Sequence, residues 1–424
     1  MSSAISIRRI LRLTLKFSIV WILILIIWGC GAVPRLKEGS EGTYIRLPFV
    51  RILLENNRDE LVIGCRGSLT LECIRGDKSF VYYSTHPVTI RQGRDRLSIW
   101  MQKKKVDADF DEILVMPRQK RSYLEYGNRH YRGMFRIIPR GNNLRLINVV
   151  HMDDYLKGVV PPEIGKVGRL ELEAVKAQAV AARTYAMSHL SQYPDEPYDM
   201  KADVSDQLYH GMEVEEDIIS EAIDATRGYV LKYRDKLIHA YYHSTCGGWT
   251  DDIDEVWEKS SIPYLRAVHD SGYCSWSKYY NWKESYSAKQ LKLRLEQYLS
   301  SERGRQVNIG DILDIIVKFR TVGGRVMELT VRTTRGDYNF GKDRIRWVFT
   351  RSSNPELILP SARFDVRIEH DRNGNLTRAD FIGSGYGHGV GMCQCGAIGM
   401  SRAGKKFDEI LTHYYSNVDL ARLY

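Results

Sequence analysis

Three stretches of the sequence concentrate side chains that could do chemistry. The first is GSGYGHGVGMCQCGAIGM, residues 383–400, with glycine at every second position from Gly383 to Gly391 and with His388, Cys393 and Cys395 among them. A dinucleotide fingerprint needs glycine at its first, third and sixth positions. Counting from Gly383, Gly385 and Gly387, the sixth residue is His388, Val390 and Met392, and no Gly-Lys-Ser/Thr follows. Phosphate-loop chemistry is therefore excluded. In an extended chain a period of two places the glycines on one face and Ser384, Tyr386, His388, Val390 and Met392 on the other. The bare face would admit either a neighbouring backbone or a ligand.

The second stretch is DDYLKGVVPPEIG, residues 153–165, in which Glu163 follows Pro161 and Pro162. Proline fixes φ, so the pair predicts a carboxyl held on a rigid loop ahead of a long helix. Such a group is either a capping or solvated acid, or a general acid if its surroundings raise its pKa. On the helix that follows, Lys176 and Arg183 are seven apart and share a face. They border an anionic or polar substrate, or form an ordinary basic stripe. The third stretch, YYHSTCGGWTDDIDEVW (241–257), sets His243 three residues before Cys246, and Cys274 follows in DSGYCSW. Zinc takes Cys and His in fours, so His243, Cys246, Cys274 and Cys393 form a candidate set, although not with finger spacing. In an exported chain a Cys246–Cys274 disulfide takes precedence, with zinc second. A nucleophilic Cys246 or Cys393 paired with His388 is the third reading.

These residues need elements to position them. From Tyr44 to about Val150 the chain runs through β-branched and aromatic segments, with Gly141-Asn142-Asn143 as a hairpin turn. Cys65 and Cys73 in this region form a disulfide or a pair of reduced core thiols. Leu170–Leu190 is a strong helix, with Leu172, Val175, Ala179, Ala182 and Ala186 at helical spacing. EEDIISEAIDATRG is a second helix ending at Gly228, and a hairpin turns near Arg234-Asp235. A helix over Ser287–Arg303, β pattern over 309–380 and a helix over Lys406–Tyr415 complete the chain. The fold class is α+β: a β-rich core with a central long helix and a smaller N-terminal β unit over 44–150, followed by one α+β domain over 151–424.

At the N-terminus, Arg8, Arg9, Arg12 and Lys16 precede the twelve-residue apolar stretch Phe17–Trp28. That is too short for a full span but fits an export signal over residues 1–30. Cys30 then resembles the acylated cysteine of a lipoprotein cleavage box, followed by a linker at 31–43. A membrane-anchored protein facing the periplasm or cell-wall compartment is expected. The net charge of +10 owes four positives to the first sixteen residues. The remaining mild excess suits nucleic acid, an anionic surface or an acidic polymer, but the ordinary charge of a soluble protein takes precedence, and no nucleic acid is expected as a partner. With aromatics at 11%, disorder is excluded.

Together, DYLKGVVPPEIG with EAVKAQAVAARTYA, HSTCGGWT with VW, and GYGHGVGMCQCGAIGMSRAG with ILTHYY resemble the stage II sporulation protein D family, which includes amidase enhancers. The resemblance runs from about Tyr44 to Leu420. It implies cleavage of peptidoglycan glycan strands by lytic transglycosylation, with Glu163 as the catalytic glutamate and no required cofactor. Lys176 and Arg183 would lie around the substrate, and the glycine-rich motif, with Tyr386 and His388, would line the same groove. A cell-wall amidase is the implied protein partner, and a non-catalytic glycan-binding role in stimulating that amidase is the alternative. Family members often carry Ser and an aromatic where this chain has Cys393 and Cys395. Zinc, found in some relatives, would suit the extra thiols.

Overall fold

The computed structural model describes residues 48–424 except 94, 120, 121, 191 and 204. The expected signal stretch Phe17–Trp28, the lipidation candidate Cys30 and the linker 31–43 lie outside the described residues. Among the described residues no helix is long and apolar enough to cross a membrane.

The α+β class holds. Two antiparallel-rich sheets carry the N-terminal third. One has seven strands, in the order Met200–Lys201, Phe49–Arg58, Asn143–His151, Met134–Arg140, Glu112–Pro117, Leu69–Arg75 and Lys78–Ser84. The other has six, with Glu60–Cys65 and Val88–Gly93 at its centre. Alternation along these strands turns Leu61, Ile63, Leu69, Leu71 and Val115 into one buried cluster. The expected hairpin forms with Arg140 opposite Asn143 and Gly141 at φ 57°. Cys65 and Cys73 stand in different sheets, and both are free thiols rather than a disulfide.

The core does not divide at residue 150. Strand Asn143–His151 runs without a break into helix α1 (Met152–Ile164), and the sandwich cluster continues into helix α2 (Leu172–Ser188). Helix α2 buries 12 of its 17 residues, including Val175, Ala179, Ala182 and Ala186, so its apolar surface is far wider than a stripe. Helix α3 (Asp217–Ala225) leads to the hairpin Tyr229–Tyr233/Lys236–Leu237, whose turn residues Arg234 and Asp235 both have positive φ. The C-terminal strand Asp419–Arg422 pairs with the same hairpin.

Residues 282–383 have a core of their own. Helix α4 (Ala288–Arg303) starts at a Ser287–Gln290 capping box and ends at Gly304 in the left-handed region. It packs with two three-stranded sheets, Trp282–Ser287/Leu376–Gly383/Phe364–His370 and Ile312–Arg320/Val326–Thr333/Gly336–Gly341. A buried ion pair between Arg325 of this module and Asp251 of the main body joins the two.

The glycine-rich stretch is not an extended strand. Gly385, Gly387, Gly389 and Gly391 all have φ between 71° and 106°, a region that side-chain-bearing residues avoid. A Cβ on Gly389 would lie 2.1 Å from Arg325 Cζ, and one on Gly391 would lie 2.1 Å from Tyr241 O. The bare side is filled by protein, which answers the choice between backbone and ligand. Gly383 ends strand Leu376–Gly383, Tyr386 makes an isolated antiparallel bridge to Thr245, and Met392–Cys393 pairs parallel to Tyr242–His243. Helix α5 (Gln394–Arg402), which the sequence reading did not anticipate, follows at once, and helix α6 (Phe407–Tyr414) closes the chain's helical part.

Candidate active site

Glu163 sits in the last turn of α1, not on a loop, because Pro161 and Pro162 are accommodated inside the helix. The carbonyl of Gly158, which loses its helical donor to Pro162, accepts a hydrogen bond from His210 N–H at 3.2 Å. Gly158 has no room for a side chain, since a Cβ would meet Tyr209 at 2.6 Å. The helix end is therefore fixed by its neighbours, and Gly165 at φ 74° terminates it.

The Glu163 carboxyl is half-buried. Burial raises its pKa above the usual carboxylate value, and a hydrogen bond with the Gln394 side chain acts in the opposite direction. Gln394 is the first residue of α5, and its amide also donates to Gln178 Oε1 of α2 at 3.4 Å. Three helices thus meet at this carboxyl. The Glu163 charge reaches Tyr155, Tyr185 and Tyr242, whose phenols are raised mainly by burial. Gln207 links two of them, accepting from Tyr155 Oη at 3.1 Å and donating to Tyr242 Oη at 2.9 Å.

From Tyr185 a row of rings extends away. Tyr185 lies 6.0 Å from Tyr241, Tyr241 lies 5.0 Å from Trp257, and Trp257 lies 4.8 Å from His388. Lys259 donates to Tyr241 Oη at 2.7 Å and stands over both the Tyr241 and Trp257 rings. Rings with partly open faces beside a polar edge suit the alternating CH-rich and hydroxyl surfaces of a sugar. A hollow of about 830 Å³, lined in part by Phe49, Arg118, Arg132 and Asp154, lies at the opposite end of α1.

Three other acids of the quoted stretches have cationic partners of their own. Asp153 pairs with Arg183, Asp154 faces Arg132 at 4.0 Å, and Asp251 pairs with Arg325. Arg183 is a correction to the expected substrate contacts. It has no exposed surface and spends its guanidinium on Asp153 and on the carbonyls of Tyr229 and Ile223. Lys176 pairs with Glu173 at 2.8 Å. It lies about 200° around α2 from Gln178, so it faces away from the Glu163 side. The shared face of Lys176 and Arg183 is real, but it does not look onto Glu163.

His388 also differs from expectation. Its Nδ1 accepts from Val390 N–H at 3.1 Å, which leaves Nε2 to donate to Tyr242 O at 3.0 Å. Burial, with Arg346 and Arg325 adding to it, pushes its pKa down to about 3. It is a neutral ring that positions the row, and with both nitrogens engaged it offers no base to a cysteine. Tyr386 turns to Tyr279, at 4.3 Å between rings, with Arg351 over both.

Cys246, Cys274 and Cys393 do converge, all fully buried. Cys246 and Cys274 are free thiols with their sulfurs 3.5 Å apart, so the expected disulfide is not formed. His243 does not join them. Its Nδ1 faces Val390 O at 3.2 Å, and the fourth group at the cluster is Asp270. Gln394, Tyr185, Tyr241 and Trp257 were missed as site residues, although each stands inside a quoted motif. Their signal was position within those motifs, whereas periodicity assigns Tyr185 only to a helix.

A family model described as stage II sporulation protein matches residues 140–233, which include α1 with Glu163, α2 and α3. A model of a domain of unknown function matches 271–391, which spans the 282–383 module. An uncharacterized protein of Brachyspira hyodysenteriae is 33% identical over 68% of this chain and 72% of its own length. Stage II sporulation protein D of Bacillus amyloliquefaciens is 30% identical over 64% of this chain and 74% of its own. The amidase enhancer of Bacillus subtilis is 30% identical over 62% of this chain, but only 40% of its own length is covered. With the helix-borne Glu163 inside the sporulation-protein match and a 30% identical relative covered over 74% of its length, the chain belongs to the stage II sporulation protein D family.

Proposed function

We propose that this protein acts on the cell wall as a peptidoglycan lytic transglycosylase. The observation that carries the reading is Glu163: a half-buried carboxyl with its pKa raised by burial, met by Gln394 and leading onto a row of rings. A raised pKa keeps a carboxylic acid protonated at higher pH, which general acid catalysis needs. Glu163 would give its proton to the glycosidic oxygen between N-acetylmuramic acid and N-acetylglucosamine as the C1–O bond breaks. The muramic C6 hydroxyl would then bond to C1, and the Glu163 carboxylate would take the hydroxyl proton. The products are an anhydro-muramic end and a new free glycan end, with no water consumed and Glu163 restored. Two-carboxylate hydrolysis needs a second acid, and the candidates considered above are engaged elsewhere. An N-terminal anchor through Phe17–Trp28 or acylated Cys30 would hold this site outside the cytoplasm.

The similarity to an amidase enhancer favours a second reading, in which the groove binds glycan and stimulates a cell-wall amidase without cutting. Purified sacculi digested with the wild-type chain and with Glu163→Gln separate the two. Anhydro-muropeptides released by the wild type and absent with the variant are expected. Equal release by a folded Glu163→Gln would refute the assignment. Sacculus binding without anhydro ends, together with faster hydrolysis by an added amidase, would establish the second reading.

A further inference from the structure

The ligand-type atoms of Cys246, Asp270, Cys274 and Cys393 all lie within 4.8 Å of one another, and all four residues are buried. Three features separate this cluster from a chance meeting of core thiols. The first is spacing. Zn–S bonds of 2.3 Å at tetrahedral angles put sulfurs about 3.8 Å apart, close to the 3.5 Å between Cys246 and Cys274. A disulfide would require closure to about 2.05 Å and would leave Cys393 and Asp270 without a role.

The second is the hydrogen bonding of the sulfurs. Cys393 Sγ accepts from the N–H groups of Cys246 and Gly396, each at 3.2 Å, and Cys246 Sγ accepts from Gly248 N–H at 3.4 Å. Backbone donors aimed at sulfur stabilise thiolates and orient metal ligands. The third is Asp270. Its carboxylate is fully buried and receives Cys274 N–H at 2.7 Å and Tyr414 Oη at 2.5 Å, yet no Lys or Arg pairs with it among the described residues. A buried carboxyl lacking a cation must either stay neutral or gain a positive partner, and a metal held with the three sulfurs would supply one. Gly396 keeps the approach open, since a Cβ there would fall 2.1 Å from Asp270 Oδ1.

We propose that Cys246, Cys274, Cys393 and Asp270 bind one zinc ion in a closed structural site. On binding, the three thiols release their protons to solvent and the carboxylate coordinates as it stands. Three thiolates and a carboxylate around a divalent ion leave two net negative charges, which face the backbone N–H donors. Nothing is oxidised or reduced. The site ties together the two roots of the 282–383 module, because Cys274 lies just before Trp282 and Cys393 just after Gly383. It also fixes the start of α5, and with it Gln394 against Glu163. The zinc site stands on its own geometry, whatever reaction Glu163 performs.

The test is the metal content of the full chain purified without chelator, combined with native-state alkylation and mass mapping. About one zinc per chain is expected, with Cys246, Cys274 and Cys393 protected until a chelator is added. Asp270→Ala and Cys393→Ser should lose the metal, whereas His243→Ala should keep it. If a ligand variant fails to fold, cobalt(II) substitution of the wild type decides instead: thiolate-to-metal charge-transfer and tetrahedral d–d bands are expected. A metal-free chain carrying a Cys246–Cys274 disulfide would overturn the proposal. Zinc retained in a folded Asp270→Ala but lost in His243→Ala would overturn the ligand assignment.

Discussion

Arg183 offers the sharpest test of the structural reasoning, because its buried placement separates a core role from a substrate role. Its Nε and Nη2 donate to Asp153 Oδ1 at 3.1 and 2.9 Å, and Nη1 and Nη2 donate to the carbonyls of Tyr229 and Ile223 at 3.2 and 3.3 Å. Removing one partner of a buried pair costs about 3–5 kcal/mol, because the other charge stays buried. The two halves are not equivalent here. In Arg183→Met, the Asp153 carboxylate keeps the Tyr424 hydroxyl at 3.1 Å and the half-exposed Arg227 at 3.7 Å, so the loss should lie near about 3 kcal/mol. In Asp153→Ala, the guanidinium keeps the two carbonyls but no carboxylate among the described residues, and the loss should approach about 5 kcal/mol. The double variant Asp153→Leu/Arg183→Met leaves neither charge stranded and should return to within about 1–2 kcal/mol of wild type. Urea unfolding followed by tryptophan fluorescence reads all three, and sacculus co-sedimentation of the folded fraction reads binding. An Arg183→Met variant that unfolds at the wild-type midpoint but no longer binds sacculi would refute the placement.

The site makes three further predictions. Gln394→Ala removes a hydrogen bond that favours ionised Glu163, so the alkaline limb of the pH–activity profile should move to higher pH. An unmoved limb would show that the amide does not act on the carboxyl. Trp257→Ala opens the ring row at its centre and should weaken sacculus binding about tenfold, or about 1.4 kcal/mol, with an unfolding midpoint near wild type. Glu163→Gln should change stability with a definite sign. A carboxyl whose folded pKa is raised contributes stability that is fully present below its unfolded pKa and is lost as pH rises through the folded value. The amide mimics the protonated form, so the variant should be the more stable at neutral pH, with the difference vanishing in acid. Denaturation midpoints measured across that range check this, and a pH-independent difference would contradict it.

Much of this protein follows from local sequence alone. The hairpin at Gly141-Asn142, the positive-φ turn at Arg234-Asp235 and the capped helix from Ser287 to Gly304 each depend on a few adjacent residues, so their signals survive in one dimension. The singling out of Glu163 also came from sequence, through its motif. What the fold alone decided involves residues far apart in the chain. Glu163 belongs to a helix because neighbours such as His210 satisfy the carbonyl that the prolines strand, and propensity cannot register such a partner. Arg183 is buried because Asp153 lies across from it, whereas spacing assigned it only a face. The glycines of 383–391 repeat with period two, yet that repeat serves close packing on Tyr241 and Arg325 rather than an open strand. Asp270 joins three cysteines from separate segments, a meeting that no spacing rule contains. Sequence specified which groups could do chemistry; burial and long-range contact decided which of them face Glu163 and which hold the protein together.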